Sequence, residues 1–165
     1  MKEKISILIA DDNQDFTHTL STYINSQEDM DVVGIARDGN EALELISTVK
    51  PDLVLLDVIM PHLDGLGVLE KMASMPNVNK PTFIMLSAVG QDKITQRAIT
   101  LGAEYYVVKP FDIELLIKRI KEIEFFKPSS KNNTFISKES SKSYIDIDQN
   151  QVNKKDGLEA LVTNL

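Results

Sequence analysis

The chain has no cysteine among its 165 residues, which excludes disulfides, zinc–thiolate centres and thiol nucleophiles. It also lacks a long apolar run. The most hydrophobic stretches, residues 5–10 and 53–56, each end at an aspartate. Both fall far short of the roughly 18 apolar residues that a membrane span needs, and residues 5–10 are too short for a secretory leader. A soluble, cytoplasmic protein without membrane contact is the expectation. Positive charge is scarce: the net formal charge is −7. Residues 1–126 carry 12 Lys+Arg against 20 Asp+Glu, whereas residues 127–165 carry 6 against 5. So acidic a segment repels nucleic-acid phosphates and argues against DNA contact by residues 1–126 alone. No repeat of solenoid length occurs.

What is present is an alternation. Short apolar runs at 5–10, 31–36, 53–57, 82–87 and 105–108 read as strands. Helical patterns fill 15–26, 39–48, 65–72, 91–101 and 112–125. Strict βα alternation predicts an α/β fold with a doubly wound five-stranded parallel sheet, helices covering both faces. The runs ISILIA and LVLLD are continuously apolar, as strands buried on both sides must be. Asp15 and Asp112 are placed to cap the first and last helices. Pro51 stops the second helix and Gly102 follows the fourth.

Composition shifts at Lys127. Residues 127–156 are rich in Ser, Asn and Lys and read as a flexible linker. Residues 157–165, GLEALVTNL, recover a helical apolar face through Leu158, Leu161, Val162 and Leu165. So short a helix cannot fold alone.

Three aspartates stand out. Asp11 and Asp12 close the first strand and Asp57 closes the third. If those strands are neighbours, three carboxylates converge and repel one another. A hard divalent cation held by oxygen ligands stabilises such a cluster, with Mg²⁺ the best match and Mn²⁺ or Ca²⁺ as alternatives. Taken singly, each residue has an ordinary reading: an acidic pair can be a turn and cap, and Asp57 a solvated strand end. Asp64 before Gly65 reads as a turn or cap residue. His18 and His62 read as surface residues.

Together the motifs carry a resemblance. IADDN at 9–13, LLDVIMPHLDG at 55–65, LSA at 86–88 and VKPF at 108–111 fall in order at the ends of strands one, three, four and five. Residues 1–126 resemble the receiver domain of bacterial two-component response regulators. QEDM at 27–30, IMPHLDGLGVLEK at 59–71, IMLSAVGQ at 84–91 and LGAEYYVVKPFD at 101–112 resemble, more closely, the receivers of the stage zero sporulation protein A family. The resemblance implies strand order 2-1-3-4-5. It implies phosphorylation of Asp57 by a histidine kinase or phosphotransfer protein. It also implies metal ligation by Asp12 and Asp57, by Asp11 largely through water, and by the backbone carbonyl of Ile59. Lys109 would pair with Asp57 and later with the phosphoryl group, and Ser87 would hydrogen-bond a phosphoryl oxygen. Tyr106 would fill the space that Ser87 vacates, repacking the face of helix four, strand five and helix five for homodimerisation. The peptide bond before Pro110 would be cis. The family's helical DNA-binding effector domain would begin at 157–165 and be cut off at Leu165, leaving transcriptional control, of sporulation genes, to that missing part.

Two departures concern the residues two past Asp57 and two past Ser87. Ile59 and Val89 are both apolar, so neither side chain can orient a hydrolytic water, and a long-lived acyl phosphate is expected. Ser87 also stands where the sporulation family commonly has Thr. A stand-alone receiver acting as a phosphorelay intermediate or through protein contact is the alternative. An aspartyl-phosphate phosphohydrolase is disfavoured because the first strand lacks a DxD pattern. A flavodoxin-like redox protein is disfavoured because no phosphate-binding Ser/Thr/Gly loop follows it.

Overall fold

The computed structural model describes residues 3–76, 78–88, 92–126, 143–148 and 151–156. Ten elements alternate: β1 (Ile5–Ala10), α1 (Gln14–Asn25), β2 (Met30–Ala36), α2 (Gly39–Val49), β3 (Leu53–Asp57), α3 (Gly65–Ser74), β4 (Thr82–Ser87), α4 (Asp92–Thr100), β5 (Tyr105–Val108) and α5 (Ile113–Phe126). The five strands form one parallel sheet in the order β2-β1-β3-β4-β5, as the alternation and the resemblance implied.

The sheet separates two apolar layers. On one face Leu8, Val54, Leu56, Phe83, Met85 and Tyr106 pack against α2, α3 and α4. On the other Ile7, Ile9, Leu53, Leu55, Ile84 and Val107 pack against α1 and α5. Odd and even strand positions divide between the two because successive side chains point to opposite faces. Every residue of β3 and β4 is buried, which is why their sequences show no polar alternation.

Helix ends follow local hydrogen bonding. Asn13, not Asp15, caps α1: its side-chain oxygen accepts from the Phe16 N–H at 3.0 Å. Asp15 instead lies in the first turn, where its charge still favours the positive end of the helix. Asp38 and Asp64 cap α2 and α3. Asp112 accepts from the Glu114 and Leu115 N–H groups ahead of α5. α2 ends on Lys50 in the left-handed conformation, with Pro51 next, and Gly102 takes φ 115° after α4.

Two further strands lie within 127–156, the stretch read from sequence as a linker. β6 (Ser143–Asp148) and β7 (Gln151–Asp156) pair antiparallel as a separate two-stranded sheet, with Asp148 opposite Gln151. The alternation in Tyr144–Ile145–Asp146–Ile147 was obscured by the polar composition around it. The other residues of 127–156, the expected effector start at 157–165, and Val89 and Gln91 lie outside the described residues. Among the described residues no helix is long and apolar enough to cross a membrane.

Candidate functional site

Parallel topology puts the ends of β1, β3, β4 and β5 on one edge of the sheet, and order 2-1-3-4-5 makes β1 and β3 neighbours there. Asp11 and Asp12 follow β1, Asp57 ends β3, Ser87 ends β4, and Lys109 follows β5. Asp11, Asp12 and Asp57 each offer a carboxylate oxygen within 4.8 Å of the others. Asp11 and Asp57 are buried and Asp12 is exposed. Buried oxygens beside an exposed one suit a hard cation that keeps part of its water shell, so the residues fit the Mg²⁺ expected from sequence.

Lys109 supplies the opposing charge. Its Nζ donates to Asp11 Oδ2 at 2.6 Å and lies 3.8 Å from Asp57 Oδ1. The expected pair with Asp57 is thus present, but the shorter bond goes to Asp11. Asp11 is held from a second side by the Asn13 N–H, 2.8 Å from Oδ1. Burial pushes the Asp57 carboxyl up from 3.8 to about 6. Lys109 opposes that rise, Asp11 adds to it, and the Ile59 and Val58 N–H groups oppose it. Asp57 is therefore largely ionised at neutral pH while still bearing a desolvation cost.

The loop after Asp57 is pinned by close backbone approaches. The Gly65 N–H donates to Val58 O at 2.9 Å and the Gly39 N–H to Leu63 O at 2.9 Å. A Cβ on Gly65 would collide with the Asp57 carbonyl oxygen, and one on Gly39 with that of Leu63. The Ile59 N–H hydrogen-bonds the Asp57 carboxylate, while its side chain is 72% exposed. His62, in the same loop, is exposed with φ 64°.

Ser87 is buried at the end of β4, and its carbonyl accepts from the Lys109 N–H at 2.6 Å. Tyr106 is fully buried between the sheet and α4. The Lys109–Pro110 peptide is cis. One contributor escaped the sequence reading. The Phe16 ring, in the first turn of α1, lies with its centroid 4.2 Å from Lys109 Nζ.

The model of the response regulator receiver domain matches residues 7–121. This chain belongs to the response regulator receiver family. As a receiver it is a phosphoacceptor of a two-component system and not a turnover enzyme, and receivers of this kind partner with histidine kinases. Solved relatives agree. The response regulator domain of Thermotoga maritima CheB is 30% identical, with 76% of this chain and 100% of that chain covered, at TM-score 0.68. The signal receiver domain of the DNA-binding response regulator merR from Colwellia psychrerythraea is 31% identical, covering 74% and 99%, at TM-score 0.67. A chain of the CheX–CheY–BeF3–Mg complex from Borrelia burgdorferi is 28% identical, covering 74% and 90%, at TM-score 0.65. The acidic cluster of this receiver is typical of the family's magnesium site.

Proposed function

We propose that this receiver takes a phosphoryl group onto Asp57 from a histidine kinase or a phosphotransfer protein and uses it to switch a transcriptional output. The observation that carries the reading is the convergence of Asp11, Asp12 and Asp57 on a single sheet edge, with the Lys109 ammonium set between Asp11 and Asp57. An Asp57 carboxylate oxygen attacks phosphorus. The bond from phosphorus to the donor imidazole nitrogen breaks, and its electron pair stays on the ring. Asp11, Asp12, Asp57 and the Ile59 carbonyl would hold Mg²⁺, which offsets the charge spread over the phosphoryl oxygens. Lys109 would move from the carboxylates to one phosphoryl oxygen, and the Ser87 hydroxyl would donate to another. The magnesium and beryllofluoride named for the Borrelia complex support both assignments.

The switch would reach the output through the sheet edge. Ser87 drawn toward the phosphoryl group would leave space for the Tyr106 ring, repacking the α4–β5–α5 face into a homodimer contact. DNA binding would belong to an effector domain beyond residue 156. The Colwellia relative, named as a DNA-binding regulator, supports a transcriptional role. The runs MPHLDGLGVLE and LGAEYYVVKPFD support sporulation genes as the target.

The deciding experiment treats wild type and Asp57→Asn with acetyl phosphate and Mg²⁺ and reads intact mass. Wild type gains one HPO3 group and Asp57→Asn gains none; an equal gain in both would move the acceptor elsewhere. With Ile59 apolar, the wild-type label persists for minutes or longer after donor removal. Loss within seconds would show that some other group directs water. Light scattering of the phosphorylated protein tests dimerisation, and a persistent monomer rules it out.

A further inference from the structure

Among the described residues the Lys109 ammonium lies beside two acids and one aromatic ring. Asp11 binds it at 2.6 Å and Asp57 approaches to 3.8 Å. The third is the ring of Phe16, whose centroid is 4.2 Å away. That ring is doubly fixed. Its backbone N–H donates to the Asn13 cap, which locks the first turn of α1. Its ring meets Phe111 edge to face, with centroids 6.0 Å apart at 87°. Phe111 lies two residues beyond Lys109. One aromatic pair therefore joins α1 to the loop that carries the ammonium.

From this geometry we infer that Phe16 is a positioning residue for phosphoryl transfer, holding the Lys109 ammonium over the acidic cluster through its ring face. The inference rests on Asp57 being the phosphoacceptor. The physical reason concerns competition. A third carboxylate at this place would bind the ammonium too, but it would add negative charge where a phosphoryl group must arrive. A ring face attracts a cation through its quadrupole, offers no lone pair and carries no net charge. It keeps the ammonium from swinging into solvent while leaving its protons free to turn toward a phosphoryl oxygen. In the transfer the Asp57 oxygen–phosphorus bond forms and the donor's bond to phosphorus breaks, its electron pair departing with the donor. Lys109 keeps all its protons throughout, so the ring acts on placement alone.

The test separates ring electronics from ring shape. Wild type, Phe16→Leu, Phe16→Tyr and a chain with a ring-trifluorinated phenylalanine at this position are phosphorylated by acetyl phosphate with Mg²⁺. Intact mass gives the rates. Fluorination keeps the shape and weakens the negative face, so the fluorinated chain reacts about 3- to 5-fold slower, and Phe16→Leu at least as slowly. Phe16→Tyr stays within about two-fold of wild type. In a Lys109→Ala background fluorination changes nothing, because the ring has lost its cation. A fluorinated chain that reacts at the wild-type rate overturns the inference. So does equal slowing without Lys109, which would make Phe16 a packing residue only. Failure of the underlying reading looks different: the wild type then gains no mass that Asp57→Asn lacks, whatever residue stands at 16, and this inference falls with it.

Discussion

The two edges of the central sheet are both acidic, yet they behave differently. At the amino edge Asp52 accepts from the Ser6 N–H at 2.8 Å and the Ser6 hydroxyl at 2.7 Å, and its own N–H donates back to Ser6 Oγ at 2.9 Å. Asp29 there pairs with Lys121 at 3.1 Å. Asp52 thus fastens β1 to the turn into β3, and Asp29 fastens the turn into β2 to α5. At the carboxyl edge three acids converge, and among the described residues two of them, Asp11 and Asp57, share the Lys109 ammonium, while burial pushes the Asp57 carboxyl up to about 6. The number of acids does not mark a site. A shortfall of compensating partners does, because it is what a cation and an incoming phosphoryl group can make good.

The largest break in that comparison comes from removing the metal. Chelation is expected to slow Asp57 phosphorylation by at least about 100-fold, since the metal neutralises the developing charge. A rate insensitive to chelator would mean that the acids work without a cation.

A second, smaller effect should appear in stability. An aspartate whose pKa is higher folded than unfolded binds its proton more readily in the native state. Stability therefore falls as pH rises from 3.8 to about 6, and the full cost stands above that window. Asp57→Asn relieves it. Without metal, the variant should be more stable than wild type by about 1–2 kcal/mol at pH 7, since solvent screening discounts the full shift, and the gain vanishes below pH 4. Denaturant melts at the two pH values check this, and a destabilised variant at pH 7 would contradict it.

The smallest effect belongs to the amino edge. Asp52→Ala removes partly exposed hydrogen bonds and should cost about 1 kcal/mol in denaturant melts. Its phosphorylation rate should stay within about two-fold of wild type. A large loss of rate there would erase the distinction between the edges.

Strand positions were legible because the buried runs are continuously apolar and each stops at an acid or a turn. Asp11, Asp12 and Asp57 were legible as a cluster because topology carries strand ends to one edge, and Lys109 was legible through the VKPF run and the resemblance it carries. What stayed hidden depends on side-chain reach. Nothing in the residue string says that Lys109 bonds Asp11 more tightly than Asp57, or that Phe16 turns its ring to that lysine. Asn13 took the cap that Asp15 could equally have supplied, because its side chain reached the Phe16 N–H. The strands β6 and β7 were hidden by Ser, Asn and Lys around a short alternating run.

One backbone contact has a wider bearing. The amide of Lys109 bonds the carbonyl of Ser87, so the residues bearing the ammonium and the hydroxyl are geared to each other through their main chains. Displacing either strand end drags its neighbour. Deuterium uptake at that single amide would then serve as a built-in gauge of whether the two proposed grips on the transferred group close in concert or one after the other.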